Sequence, residues 1–220
     1  METISDIPPI TQSKLSDYGS NSRFIFDKNV KPELQIGPKC GLVALSMSLK
    51  SKGIDCNVDE IFGIAKELNY TIQGEMFSAY SLSEVANKIS PGCSKVEEFP
   101  GASELSQRLL NGQHILVAYD CDKNFSATKH NGHKAHWLLM CGFLDKSSGE
   151  KEGSMSPVQN PEDLIILGYQ GKSRYLGFFP YTAIFESNAQ LFEAGPIRLS
   201  DEYNLEDFVN LRNKIVSINI

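Results

Sequence analysis

A cysteine at the start of a helical pattern is the first residue that can do chemistry. Cys40 ends the segment QIGPKC, and apolar residues follow it at helical spacing. Unpaired N–H groups and the positive end of a helix dipole favour a thiolate at such a position. The side-chain amide of Gln35, with the Cys40 backbone N–H, can form an oxyanion hole, and Gly41 is expected to let a substrate approach the backbone. We predict Cys40 as nucleophile and Gln35 as oxyanion donor; a buried structural cysteine is the alternative.

A histidine at the mouth of an apolar strand is the candidate general base. His136 opens the run HWLLMCGFL, and a nucleophilic cysteine needs a base that is near in space, whatever its distance in sequence. The regular spacing of His130, His133 and His136 allows a metal site as an alternative. The residues between them favour a loop, which does not align three imidazoles, so we predict His136 as base and no metal.

A glutamine after the next strand pattern is the candidate third member of the site. Gln170 follows the run LIILGY, and its side-chain oxygen can accept the imidazole N–H. We therefore predict that Gln170 orients His136. A plain Gln-Gly turn between two strands is the alternative.

Helical patterns dominate the first half of the chain, and strand patterns dominate the second. The helical patterns cover Gly41–Lys52, Val58–Leu68, Ser83–Ile89, Ser103–Leu110 with Ser103 as N-cap, and Tyr181–Leu191. The strand patterns cover His114–Tyr119, His136–Leu144, Leu164–Tyr169, Arg174–Phe179 and Ile215–Ile220. This segregation predicts an α+β fold in which the helix of Cys40 packs on an antiparallel sheet.

Composition indicates an ordinary globular chain of 220 residues, 41% apolar and 22% charged. We expect a loosely ordered leader at residues 1–30, a single domain at 31–220 and an exposed loop at 147–161. The net charge of −6 disfavours nucleic-acid binding, and no apolar run is long enough to span a membrane. Five cysteines without a CxxC pair, and no signal peptide, predict reduced thiols in the cytoplasm.

These motifs, taken in order, resemble the papain-like cysteine peptidases, and among them the type that processes bacteriocin leaders. More narrowly, several segments resemble the actin maturation protease family over roughly Leu34 to Leu191. The segments are GPKCGLVAL (37–45), YTIQGEMFSAY (70–80), GHKAHW (132–137), QGKS (170–173) and ESNAQL (186–191).

The resemblance implies a papain-like fold and a cysteine aminopeptidase that needs no cofactor. That family removes the acetylated N-terminal Met or Cys from immature actin and leaves an acidic N-terminus. The resemblance implies that Cys40 and His136 are the catalytic residues and that Gln35 has an oxyanion role. Papain-like enzymes usually place this Gln one residue further from the Cys, and they usually have Asn or Asp as third member, where only Gln170 fits here.

Actin is therefore the expected protein partner. Some relatives carry a long proline-rich leader that suits profilin binding. This chain has only Pro8-Pro9 there, and no profilin contact is predicted.

Acidic residues are missing from the three windows that hold the proposed site. None occurs at 34–54, 123–144 or 164–185, which together carry eight Lys and Arg residues, including Lys134 and Lys172. We predict that Lys134 and Lys172 help bind an acidic chain end. The alternative is that apolar strands and a core helix exclude acids in any protein.

The segment YTIQGEMFSAY lies between two helical patterns. We predict that Glu75 and Met76 bind substrate, with Met76 and Phe77 giving an apolar wall that suits Met. A packed inter-helix connection is the alternative.

Two other functions remain open at this stage. One is a papain-like isopeptidase that acts on ubiquitin-like tails. The other is a catalytically inactive fold that only binds actin. The preference for Met or Cys, the need for acetylation, the oligomeric state and the role of residues after Phe192 are also open.

Overall fold

The computed structural model describes residues 13, 17–18, 22–147, 156–196, 203, 205 and 208–220. Its helices are α1 (Cys40–Ser51), α2 (Val58–Glu67), α3 (Ala79–Ile89), α4 (Ala102–Leu110) and α5 (Tyr181–Ala189). Its strands are β1 (Arg23–Phe26), β2 (Ser94–Glu98), β3 (His114–Cys121), β4 (Ala127–Thr128), β5 (Ala135–Asp145), β6 (Leu164–Tyr169), β7 (Gly177–Pro180) and β8 (Lys214–Ile218). The predicted α+β class is confirmed.

The described strands form one antiparallel sheet in the order β2-β8-β3-β5-β6-β7, with β4 paired to β3 and β1 paired to β5. Strand β5 is central, because it pairs with β3 along its first half and with β1 and β6 along its second. A register shift between Met140 and Gly142 marks this change. A Cβ at Gly142 would lie 2.2 Å from the carbonyl oxygen of Ile25, so glycine is required where β1 crosses.

Helices cover both faces of the sheet. The helices α1, α2 and α3 pack on one face, where alternate β3 residues such as Leu116 and Ala118 point. The helices α4 and α5 pack on the other, with Ile115 and Val117. Because both faces are buried, the central strands read as continuous apolar runs and not as alternating patterns.

Capping residues determine where the helices begin. Asn57 accepts hydrogen bonds from the backbone of Asp59 and Glu60, and Glu60 closes a capping box at the start of α2. Helix α3 starts at Ala79 with Ser78 as its N-cap residue, whereas the sequence pattern predicts a start at Ser83. Ser103 is not an N-cap as predicted: α4 has Gly101 at that position and Ser103 lies within the helix.

The structure differs from the sequence expectation near the leader. Residues 23–26, within the segment expected to be loosely ordered, form β1, and Val30 is buried in the core. Residues 1–12, 14–16 and 19–21 lie outside the described part, as do residues 148–155 of the expected loop. In the part of the chain that the structure describes, no helix has the length and apolar character to cross a membrane.

Candidate active site

The cysteine predicted as nucleophile is the first residue of α1. Lys39 is the N-cap residue, and the first turn contains no acidic side chain. The first N–H groups of a helix have no partner within the helix, so they and the dipole favour negative charge on the sulfur. Cys40 is half-buried and borders a cavity of about 420 Å³.

The predicted base lies opposite, near the start of β5, paired across the sheet with Tyr119. His136 is only 6% exposed, and its Nε2 lies 2.6 Å from the backbone oxygen of Gln170. Since that nitrogen is engaged, Nδ1 is the one that faces the Cys40 thiol. The structure therefore brings Cys40 and His136 together, as the sequence predicts.

The electrostatics of this pair favour a thiolate and an imidazolium. Burial alone would lower the pKa of His136, but the negative charge of Cys40, the hydrogen bond with its sulfur and the Gln170 carbonyl raise it above its ordinary value. The nearby charge of Lys172 acts in the opposite direction. A more basic imidazole takes a thiol proton more readily, which is the condition that a catalytic cysteine needs.

Gln170 contacts the base through its backbone and not through its side chain. The side-chain oxygen accepts the Lys172 N–H at 2.8 Å, while the main-chain carbonyl meets the imidazole. The prediction that the Gln170 side chain orients His136 is therefore corrected. The physical reason is the turn at Gly171, whose positive φ of 74° allows Lys172 to fold back over the glutamine side chain.

The same turn holds Gln35. The Gln35 N–H donates to the carbonyl of Gly171 at 2.8 Å, one residue beyond the carbonyl that holds His136. The Gln35 Nε2 donates to the Gly37 carbonyl at 2.7 Å. An amide nitrogen has a second proton, and Gln35 borders the cavity together with Cys40.

Gly41 serves packing and not substrate approach, which corrects the sequence expectation. A Cβ there would lie 3.0 Å from the Trp137 indole and 3.1 Å from the Cβ of Met76. The Trp137 Nε1 also donates to the Met76 carbonyl at 2.7 Å. The nucleophile helix is thus locked to the strand of the base and to the 70–78 segment.

The cavity has two chemically different sides. Near the nucleophile its wall is largely apolar, formed by Met76, Phe77, Trp137 and Tyr203. Around the base it carries three exposed lysines on three separate loops: Lys123, Lys134 and Lys172. Asp122 also borders the cavity.

Glu75 borders the cavity but is almost fully buried. Its two carboxylate oxygens accept the backbone N–H groups of Ile72 and Gln73. The carboxylate therefore shapes the loop that presents Met76.

The other lysines of the acid-free windows are mostly paired. Lys39 forms an ion pair with Asp59 at 2.8 Å and lies over the ring of Phe62. Lys50 pairs with Glu33 and Lys52 with Asp27. The positive character of the cavity therefore depends on its three wall lysines.

The three regularly spaced histidines do not converge. His133 contacts Glu193, and the backbone of His130 donates to Asp120, while His136 faces the thiol. Among the described residues there is no group of three His, Cys, Asp or Glu side chains that could hold a metal ion.

Several residues of the site carried no recognisable sequence signal. Phe125 packs its ring against His136, and Tyr203 and Leu211 reach the cavity from the C-terminal segment. Buried Asp120 accepts the backbone N–H groups of His130, Gly132 and Lys134, and so fixes the loop before β5. For Asp120, the sequence hint was its position directly after the apolar run HILVAY.

The backbone resembles a solved peptidase. A C39-like peptidase from Bacillus anthracis superposes with a TM-score of 0.53 at 13% identity, covering 90% of this chain and 98% of that one. This likeness shows the papain-like fold of C39-like peptidases, and within it Cys40 and His136 border one cavity.

The sequence comparisons are more specific. Residues 30–144 match the family described as actin maturation protease-like, C-terminal domain. The actin maturation protease of Danio rerio is 31% identical over an alignment of 219 positions, gaps included, that covers 84% of this chain and 70% of the relative. That of Drosophila melanogaster is 34% identical over an alignment of 168 positions that covers 75% of this chain and 57% of the relative. The chain belongs to the actin maturation protease-like family, and neither the isopeptidase nor the binding-module alternative is favoured.

Proposed function

We propose that this chain is a cysteine aminopeptidase that removes the acetylated first residue, Met or Cys, from immature actin. The observation that carries the proposal is the placement of Cys40, His136 and Gln35 on one cavity that three lysines also line. Relatives named actin maturation proteases support the choice of substrate.

The chemistry follows from the positions of the three side chains. The Cys40 thiolate attacks the carbonyl carbon of the first residue, and the oxyanion accepts hydrogen bonds from Gln35 Nε2 and the Cys40 N–H. The C–N bond breaks as His136 gives its proton to the leaving amine. Water, deprotonated by His136, then attacks the thioester, and the C–S bond breaks to release the acetylated residue and restore the thiol.

The two sides of the cavity suit the two sides of the scissile bond. Because His136 protonates the leaving amine, the downstream chain passes the wall that carries Lys123, Lys134 and Lys172. An acidic second and third residue would be attracted there. The first residue then lies against Met76 and its apolar neighbours.

A cytoplasmic setting suits this mechanism. All five cysteines are free thiols, and thiols stay reduced in the cytoplasm.

Mass spectrometry of a peptide beginning acetyl-Met-Asp-Glu tests the proposal. Wild type is expected to release acetylmethionine, and Cys40→Ala is expected to release none. Cys56→Ala, which removes a buried cysteine that does not border the cavity, is the matched control and should retain activity.

A second peptide with lysines in place of the two acids separates substrate class from chemistry. It is expected to be cleaved at least about tenfold more slowly at low salt, because the wall lysines repel it. Folded wild type that leaves the acidic peptide intact would overturn the proposal.

A further inference from the structure

One aromatic residue beside the base is held in a conformation that bulky side chains rarely adopt. Phe125 has φ of +63°, in the left-handed region that favours glycine. It lies in the turn between β3 and β4, where Asp122 accepts the N–H groups of Asn124 and Ser126. The Phe125 N–H donates to the Asp122 carbonyl at 3.2 Å. Backbone strain of this kind persists only where the surroundings over-determine it.

The strained turn delivers the Phe125 ring onto the catalytic imidazole. The ring centroids of Phe125 and His136 are 5.5 Å apart, with their planes inclined at 44°. On the same imidazole, Tyr119 makes an edge contact at 6.1 Å. The Tyr119 hydroxyl also donates to the Phe125 carbonyl at 2.8 Å, so one residue both contacts the imidazole and anchors the turn.

We infer that Phe125 is a positioning residue that fixes the plane of His136 and shields it from water. The inference rests on the proposed function only in assigning His136 as base. The hydrogen-bond partner of Nε2 is a backbone carbonyl, which is neutral and accepts from a broad range of directions. Together with the hydrogen bond to the Cys40 sulfur, this bond leaves the plane of the ring loosely defined, so the contacts of Phe125 and Tyr119 fix the plane that keeps Nδ1 aimed at Cys40.

Alkylation of Cys40 by iodoacetamide tests this role without any peptide substrate. Its rate as a function of pH reports the thiolate–imidazolium pair, and mass spectrometry separates Cys40 from the other cysteines. Phe125→Leu is expected to slow the alkylation on the acid side by about tenfold, since loss of base alignment commonly costs that or more. The acid limb of the plot of alkylation rate against pH should move to higher pH, because the Cys40 thiolate loses the stabilising His136 imidazolium.

Three variants distinguish positioning from packing. Phe185→Leu removes an aromatic ring that contacts Phe99 at 5.3 Å outside the cavity, and its profile should match wild type. Phe125→Tyr keeps the ring and should retain the wild-type profile. Phe125→Gly suits the positive φ, so it removes the ring without straining the turn and should behave like Phe125→Leu.

Peptide kinetics complete the test. With the acetyl-Met-Asp-Glu peptide, Phe125→Leu should lower kcat by about tenfold and leave KM within about twofold, the pattern of a lost transition-state interaction. An unchanged alkylation profile and kcat in folded Phe125→Leu and Phe125→Gly would overturn the inference. If wild type does not cleave the peptide but the alkylation profile depends on Phe125, the substrate proposal fails and the positioning role stands.

Discussion

Two histidines of this protein face a nucleophile-type side chain on the same helix, and only one of them lies on a cavity. In the core, Ser48 Oγ lies 3.0 Å from His114 Nδ1, and His114 Nε2 lies 3.1 Å from an Asp27 oxygen. These are the residue types of a serine triad. In the cleft, Cys40 faces His136, whose other nitrogen meets only a carbonyl.

The surroundings give the two clusters opposite properties. Ser48 and His114 are both 0% exposed, and burial followed by the charge of Lys52 lowers the pKa of His114 to about 4, although Asp27 opposes this. The pKa of His136 is raised instead, because burial is outweighed by the Cys40 charge together with the hydrogen bonds to the Cys40 sulfur and the Gln170 carbonyl. Ser48 also lies in the middle of α1, where the backbone N–H groups are paired, whereas Cys40 begins the helix. Position and access, more than residue type, separate a reactive pair from a structural one.

Removing each nucleophile-type side chain should give the largest difference between the two clusters. Cys40→Ala is expected to lower kcat/KM by at least about 10³-fold, because no other group replaces the attacking sulfur. Ser48→Ala is expected to leave kcat unchanged and to reduce the free energy of unfolding by about 1 kcal/mol, the contribution of one buried hydrogen bond. Peptide kinetics and urea unfolding measure the two effects. Activity loss in a folded Ser48→Ala protein would break the distinction.

The proposed oxyanion donor, Gln35, borders the cavity together with Cys40. Gln35→Ala is expected to lower kcat by about 10²-fold with little change in KM, as for other oxyanion-hole donors. Gln159→Ala, at an exposed position outside the cavity, is the control. A Gln35→Ala enzyme with wild-type kcat would show that the backbone N–H groups suffice.

The buried imidazole of the core should make folding stability depend on pH. The folded pKa of His114 is about 4 and the unfolded value about 6.5, so the unfolded chain binds the extra proton between these values. Stability is therefore fully present above pH 6.5 and is lost as the pH falls toward 4, by about 3 kcal/mol. Urea unfolding across this range should show the decline in wild type and a smaller decline in His114→Gln. If the free energy of unfolding declined equally with pH in both proteins, His114 would not be the group responsible.

The smallest expected effect concerns the charge beside the base. Lys172 lowers the pKa of His136, so Lys172→Gln should raise it further and move the alkaline limb of the kcat profile to higher pH. The acidic peptide should also lose a few-fold in kcat/KM at low salt, and less at high salt. Lys88→Gln, on α3 away from the cavity, should change neither quantity. A shift of the alkaline limb to lower pH in Lys172→Gln would contradict the expected effect of Lys172 on the pKa of His136.

The spacing of apolar residues was sufficient to predict the long helices and strands. It was insufficient for the short strands and for the exact helix starts. The apolar runs of β3, β5 and β6 are visible because both faces of the sheet are buried. The strand β2 has the polar sequence SKVEE, and β4 has two residues, so neither carries a pattern. Helix α3 begins four residues before its predicted start and helix α4 one residue before it.

The chemistry of the site was predictable where it depends on side-chain type. That Cys40 and His136 border one cavity could be predicted from their positions at a helix start and a strand start. The role of the Gln170 carbonyl could not, because any residue has that group and only the turn aims it. Tyr203 and Leu211 come from distant sequence, and Phe125 depends on an unusual φ that its residue type does not suggest.

Trapping the covalent intermediate tests the central claim most directly. Wild type and Cys40→Ala would be mixed with the acetyl-Met-Asp-Glu peptide, quenched in acid during turnover and mapped by mass spectrometry. The predicted result is an acetylmethionyl thioester on Cys40 of the wild type, with no adduct on the other cysteines and no turnover by the variant. An adduct on a different cysteine, or peptide cleavage by Cys40→Ala, would contradict the assignment of Cys40 as nucleophile.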